Sequence, residues 1–221
     1  MPEKGSVSVG RLVLVPGLIT LAVTLLRLVG ELNDWSPLLF SRAAGGGGAV
    51  IGIVWLVFVF AFYFAWKLVQ AGETPAGRYR ALGHGALGIL ITVAFAFGAT
   101  LAGLPLVGQF AAFVVGSLAG LAVAYRAWPA LGRVLVAYGF AARVPVAVIM
   151  LFAIFGNWGT HYDVLPPNAT ASLGGMSPFG KWLMIGLLPQ LTIWIGFTVA
   201  VGMLCGGLLV ALRPHRVTAT A

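Results

Sequence analysis

Six stretches of this chain are each long and apolar enough to cross a bilayer, near residues 11–31, 48–68, 82–104, 107–126, 131–155 and 182–212. A hydrocarbon core of about 30 Å takes about 20 apolar residues in a helix. Inside lipid, backbone N–H and C=O groups must be satisfied within the protein, and a helix does this within one segment. The expected fold is therefore an all-α integral membrane protein, a bundle of six transmembrane helices forming one polytopic domain over residues 1–221. Composition agrees: of 221 residues, 60% are hydrophobic and only 8% charged. A soluble fold would carry about 25% charged residues. The first run resembles a secretory signal in position, but Arg27 interrupts its far end and no small-residue cleavage site follows. It is expected to be a permanent helix.

Alternation through six spans places Lys4, Arg11, Lys67, Arg78, Arg80, Arg126, Arg133, Arg213 and Arg216 on one side of the membrane. The opposite loops hold only Arg42 and Lys181, while Arg27 and Arg143 fall inside spans. Cytoplasmic loops are the Lys/Arg-rich ones, so both termini are expected in the cytoplasm. Arg outnumbering Lys, with abundant Gly and Ala, suits a GC-rich bacterium, which makes the cell inner membrane the expected location. The net charge of +8 does not imply nucleic acid, because no stretch is a Lys/Arg-rich run and the charges sit at span ends. Trp35, Trp158, Tyr162 and Trp182 at one boundary and Trp66, Tyr79, Tyr125 and Trp128 at the other fit the headgroup preference of amphipathic rings.

Small residues recur at four-residue spacing in Gly48/Gly52, Gly116/Gly120 and Gly202/Gly206, a pattern that lets helix backbones approach closely. The partner helix is expected within the bundle; a second copy or another membrane subunit is the alternative. The Gly45–Gly48 run lacks the Lys-Ser/Thr that a phosphate-binding loop requires and is read as a flexible joint.

Polar residues inside the spans are the candidate site. Arg143 sits mid-span, two residues before Pro145. An arginine there costs about 3 kcal/mol to insert and faces the bundle interior or water. Pro145 is expected to disturb its helix locally, because it lacks an N–H and crowds the carbonyl of Ala141. The alternative role for Arg143 is structural, holding exposed carbonyls or reaching an interface. Arg27 and Glu31, four apart, share a helical face. They are read either as a mutually neutralising pair or as the rim of an outward-facing cavity. Pro189 interrupts the sixth span beside Gln190, whose amide both donates and accepts. Arg27, Arg143 and Gln190 converge only if the first, fifth and sixth spans are neighbours.

The long outer connection contains His161 and Asp163. His161 is a candidate acid or base near neutral pH, with Asp163 and Glu31 as its carboxylate partners; the alternative is an interfacial cap anchored by Trp158 and Tyr162. His84 and His215 fall on the opposite side, which removes a tri-histidine metal site. Cys205, the sole cysteine, excludes an intrachain disulfide and any cysteine cluster. No cofactor or metal is expected, and no nucleophile-elbow motif supports a serine hydrolase. The expected function is a binder or carrier of a small anionic or lipidic ligand, through an outward-facing pocket of Arg27, Glu31, Arg143, Gln190, His161 and Asp163. A non-catalytic membrane subunit or scaffold is the alternative, and an outer-leaflet enzyme the third.

Overall fold

The computed structural model describes residues 7–213. Lys4 and Arg216, from the charge argument, and His215, from the metal argument, lie outside them. Among the described residues the protein is all-helical without strands, and five helices are long and apolar enough to cross a membrane. The main helices are α1 (Val9–Leu32), α2 (Leu56–Gln70), α3 (Arg80–Leu101), α4 (Leu106–Ala127), α5 (Pro129–Gly156) and α6 (Pro178–Ala211). All but α2 begin and end within four residues of the expected boundaries.

The second helix is the correction. Expected from residue 48, it starts at Leu56 and holds 15 residues. At 1.5 Å per residue this is about 22 Å, less than a full hydrocarbon core. The cause lies in the glycine run: Gly45, Gly46 and Gly48 all adopt positive φ, which a helix cannot use. The chain instead doubles back: the Val50 N–H donates to the Leu38 carbonyl and the Ile51 N–H to the Leu39 carbonyl, both at 3.1 Å. Gly48 and Gly52 are thus loop residues, not a helix face.

Helix ends follow from local chemistry. Pro129 opens α5, where its missing N–H costs nothing, and Asn157 closes it in the left-handed conformation. Ser177 caps α6 by accepting from Gly180 N–H at 3.2 Å. Arg42 donates to the Glu31 carbonyl at the end of α1, and Arg78 does the same to Ala211 at the end of α6 with Nε at 2.9 Å. Cations at these carbonyl-rich ends oppose the helix dipole.

α6 is the axis of the bundle and packs against α2, α3, α4 and α5. Its glycines set how closely these approach. A Cβ at Gly85 of α3 would lie 2.6 Å from the backbone of Leu204, and one at Gly207 would overlap Leu82. Gly196 faces Ser117 of α4, while Gly202 and Gly206 receive Leu135 and Leu131 of α5. Gly116 and Gly120 seat α4 on Phe95 and Gly88 of α3. These pairings make α3 antiparallel to α4 and to α6, and α5 antiparallel to α6. α1 leans on α5, joined by a hydrogen bond of 2.9 Å between Thr20 Oγ1 and Tyr138 Oη. Large apolar side chains point outward, with Leu90, Phe97 and Leu101 at 62%, 66% and 85% exposure. Such a surface is consistent with lipid as its surroundings.

The two prolines behave differently. Pro145 is accommodated in a continuous α5, so the expected irregularity there is absent. It occurs at the other proline: α6 passes through a π-helical segment, Trp182–Leu187, just before Pro189, and is interrupted again at Thr192. Wider π turns free backbone groups and shift side-chain register. The irregular half of α6 faces a cap built from residues 33–55 and 157–177.

Candidate functional site

The site grows from α1. Thr24, Arg27 and Glu31 are successive buried polar residues on one face, three and four apart. Arg27 Nε donates to Glu31 Oε1 at 2.8 Å, and its Nη2 donates to the carbonyls of Ser41 and Gly46 at 3.0 and 3.1 Å. Gly46 and Gly52 make room for it: a Cβ at either would lie 3.2 Å from Arg27 Nη1. The glycine run is therefore a turn fitted around a guanidinium, which composition alone reads as a flexible joint.

Glu31 is shared with the cap. The His161 backbone N–H donates to Oε2 at 2.9 Å and its ring Nδ1 meets Oε1 at 2.5 Å. In the neutral imidazole this places the proton on Nδ1 and leaves Nε2 as an acceptor. Burial pushes the His161 pKa below its usual 6.5; the Glu31 hydrogen bond opposes this and the Arg27 cation adds to it. Tyr162 packs against His161 in a tilted arrangement, with ring centroids 3.8 Å apart, and its hydroxyl donates to the Thr24 carbonyl at 3.2 Å. Only 3% exposed, Tyr162 is a buried tether rather than a headgroup anchor. Desolvation raises its pKa far above the usual phenol range.

Asp163 takes no part in the Glu31–His161 contact. Its carboxylate accepts from Gly159 N–H at 2.8 Å, and from Thr160 N–H and Thr160 Oγ1 at 2.7 Å each. It closes a tight turn that presents His161 and Tyr162 to α1.

Arg143 reaches the same place from α5. It is 3% exposed, its Nη1 donates to Gln190 Oε1 at 3.4 Å, and its Cζ lies 4.3 Å from the ring centroid of Trp194. Nε and Nη2 have no hydrogen-bond partner among the described residues. These two nitrogens form one edge of the guanidinium, the edge that meets a carboxylate or phosphate with two parallel bonds. The stacking on Trp194 is worth about 2 kcal/mol when desolvated. This does not fully offset an insertion cost of about 3 kcal/mol.

Arg27, Arg143, His161 and Gln190 all line one cavity of about 170 Å³, completed by Thr24, Gly46 and Trp194 with apolar residues from α1, α5 and α6. α1, α5 and α6 are indeed brought together at this level, the condition on which convergence depended. Arg27 and Glu31 cancel, neutral His161 adds no charge, and Asp163 is held by its own turn. Arg143 is left as the uncompensated cation of the cavity.

Sequence reasoning did not find Trp194, Tyr162 or Thr24 as parts of this site. Trp194 sits one turn after Gln190 and Thr24 three residues before Arg27, so helical spacing carried both signals. The burial of Tyr162 had no local signature, since it depends on the cap folding back onto α1. No family model matches the chain, and no curated protein or solved structure matches it.

Proposed function

We propose that this protein is a membrane-embedded binder or carrier of a ligand with a small anionic group, held in the cavity beneath the cap. The supporting observation is Arg143: a buried guanidinium with one edge unpartnered among the described residues, in the wall of a cavity that contains no uncompensated carboxylate. Gln190 and the free Nε2 of His161 add directional polar contacts. The spaced pairs Gly116/Gly120 and Gly202/Gly206 are filled by neighbouring helices of the same chain, so those faces are not free for a partner that a scaffold would hold.

In this reading the chain crosses the membrane six times, with α2 completing its crossing through the irregular residues that precede it. Both termini lie in the cytoplasm, and the cap faces outward from a bacterial inner membrane. Lys67, Arg78 and Arg126 at the end opposite the cap support the orientation.

The test is saturation-transfer NMR on protein in zwitterionic nanodiscs, with acetate and methylphosphonate as probes. Wild-type protein gives transfer to both methyl groups. Arg143→Gln, which removes a buried charge with few partners, keeps its fold by circular dichroism and its thermal stability, and loses the transfer. Equal transfer in both proteins, or none in either, overturns the reading. A variant that fails to insert makes Arg143 structural.

A further inference from the structure

A second cavity of about 530 Å³ adjoins the first. Gly45, Pro166 and Ile185 line both. The second cavity is mainly apolar, with Ala96 from α3, Phe110 and Phe113 from α4, and Met184 and Ile193 from α6. Val107, also in its lining, is 61% exposed, so the groove reaches the lipid-facing surface. The polar chamber that contains Arg143 thus adjoins an apolar groove that opens toward the bilayer.

Size separates their roles. A cavity of about 150 Å³ holds one benzene-sized molecule, so the polar chamber takes a headgroup but no acyl chain. The groove is larger, offers apolar contacts, and sits where a lipid tail can enter from the membrane. Charge is complementary as well, since the uncompensated Arg143 stands at the inner end. Ile185, which lines both cavities, belongs to the π-helical segment of α6, and Met184 beside it lines the groove. The irregular turn therefore directs consecutive residues at both compartments. Gly45, which lines both, puts no side chain between them, and a Cβ built there would meet nothing within 4 Å.

Resting on the anion-pocket reading, we infer that the ligand is a lipid with a compact anionic head, a carboxylate or phosphate monoester, its head on Arg143 and its acyl chain along the groove between α3, α4 and α6. The chamber supplies charge selection, and the groove supplies affinity that grows with chain length. Binding makes and breaks no covalent bond.

The experiment uses palmitate carrying a mid-chain diazirine, photolysed with the full-length protein in zwitterionic nanodiscs, with adducts mapped by peptide mass spectrometry. Labelling concentrates on Phe110, Phe113 and Met184. It falls about tenfold or more in Arg143→Gln, the scale expected for loss of a charge-assisted bidentate contact. Ala96→Phe, at a half-buried groove position remote from Arg143, lowers the same labelling while acetate still shows saturation transfer. Excess palmitate competes, whereas equal concentrations of acetate or inorganic phosphate do not. Labelling spread evenly onto lipid-facing Leu14 and Leu18 of α1, or equal competition by acetate or phosphate, overturns the lipid assignment and leaves the anion pocket standing. Absence of both acetate transfer and concentrated labelling overturns both.

Discussion

Arginine occurs twice among buried polar residues near the cap, and the surroundings of the two copies differ. Arg27 has a carboxylate one turn away and two loop carbonyls folded onto it, so its charge is matched locally. Arg143 has one long amide contact and an aromatic face. The first reads as architecture, the second as the proposed ligand contact. His161 belongs with Arg27, because it borrows the same carboxylate. Its depressed pKa makes the cap sensitive to acid. Below the unfolded pKa of about 6.5 the unfolded chain binds a proton that buried His161 resists, so folding stability falls as pH drops through that region. Above it this group contributes no pH dependence. Thermal unfolding followed from about pH 5 to 8 should show a midpoint that declines on the acid side. His161→Asn, whose amide keeps a donor toward Glu31 without titrating, should flatten that limb. An unchanged limb would mean that other groups cause it.

At the scale of elements, the bundle is assembled on glycine. α6 passes other helices at distances that no side chain tolerates, and Gly207 against Leu82 is the tightest case on the α3 side. Gly207→Ala should destabilise the protein by about 1–3 kcal/mol, the usual cost of overpacking, because the obstructing atoms are backbone. Gly98→Ala in α3 has open space around its Cβ and should be neutral or stabilising by up to about 1 kcal/mol through helix propensity. Thermal unfolding in one detergent compares the two directly; similar shifts would show that spacing at α6 is not limiting. The spacing of Gly116/Gly120 and Gly202/Gly206 was visible in the chain, but their partners were not. A four-residue repeat names a face and says nothing of what meets it. Gly48/Gly52 show the limit of the pattern: identical spacing, yet both residues lie in a loop because neighbouring glycines adopt positive φ.

At the scale of the whole molecule, orientation and the cap go together. Cys205 is buried, so the native chain offers a quiet background for thiol labelling. A cysteine at exposed Gly175 in the cap should react with an impermeant maleimide in intact cells, provided the outer membrane has been permeabilised. Labelling only after lysis would invert the topology and place the cavity on the cytoplasmic side.

The apolar runs could be read directly from the chain because lipid imposes a length and a composition on each helix separately. That constraint acts locally, so the ends of α1, α3, α4, α5 and α6 were legible to within four residues. The Arg27–Glu31 pair was legible for the same reason, since helical geometry fixes which residues share a face. Tertiary structure alone decided that Tyr162 is buried, and that Arg143 and Gln190 meet Arg27 and His161 around one cavity. Those outcomes depend on which helices become neighbours and on a cap folding across them. Contacts between residues more than a hundred positions apart leave no periodic trace in a sequence.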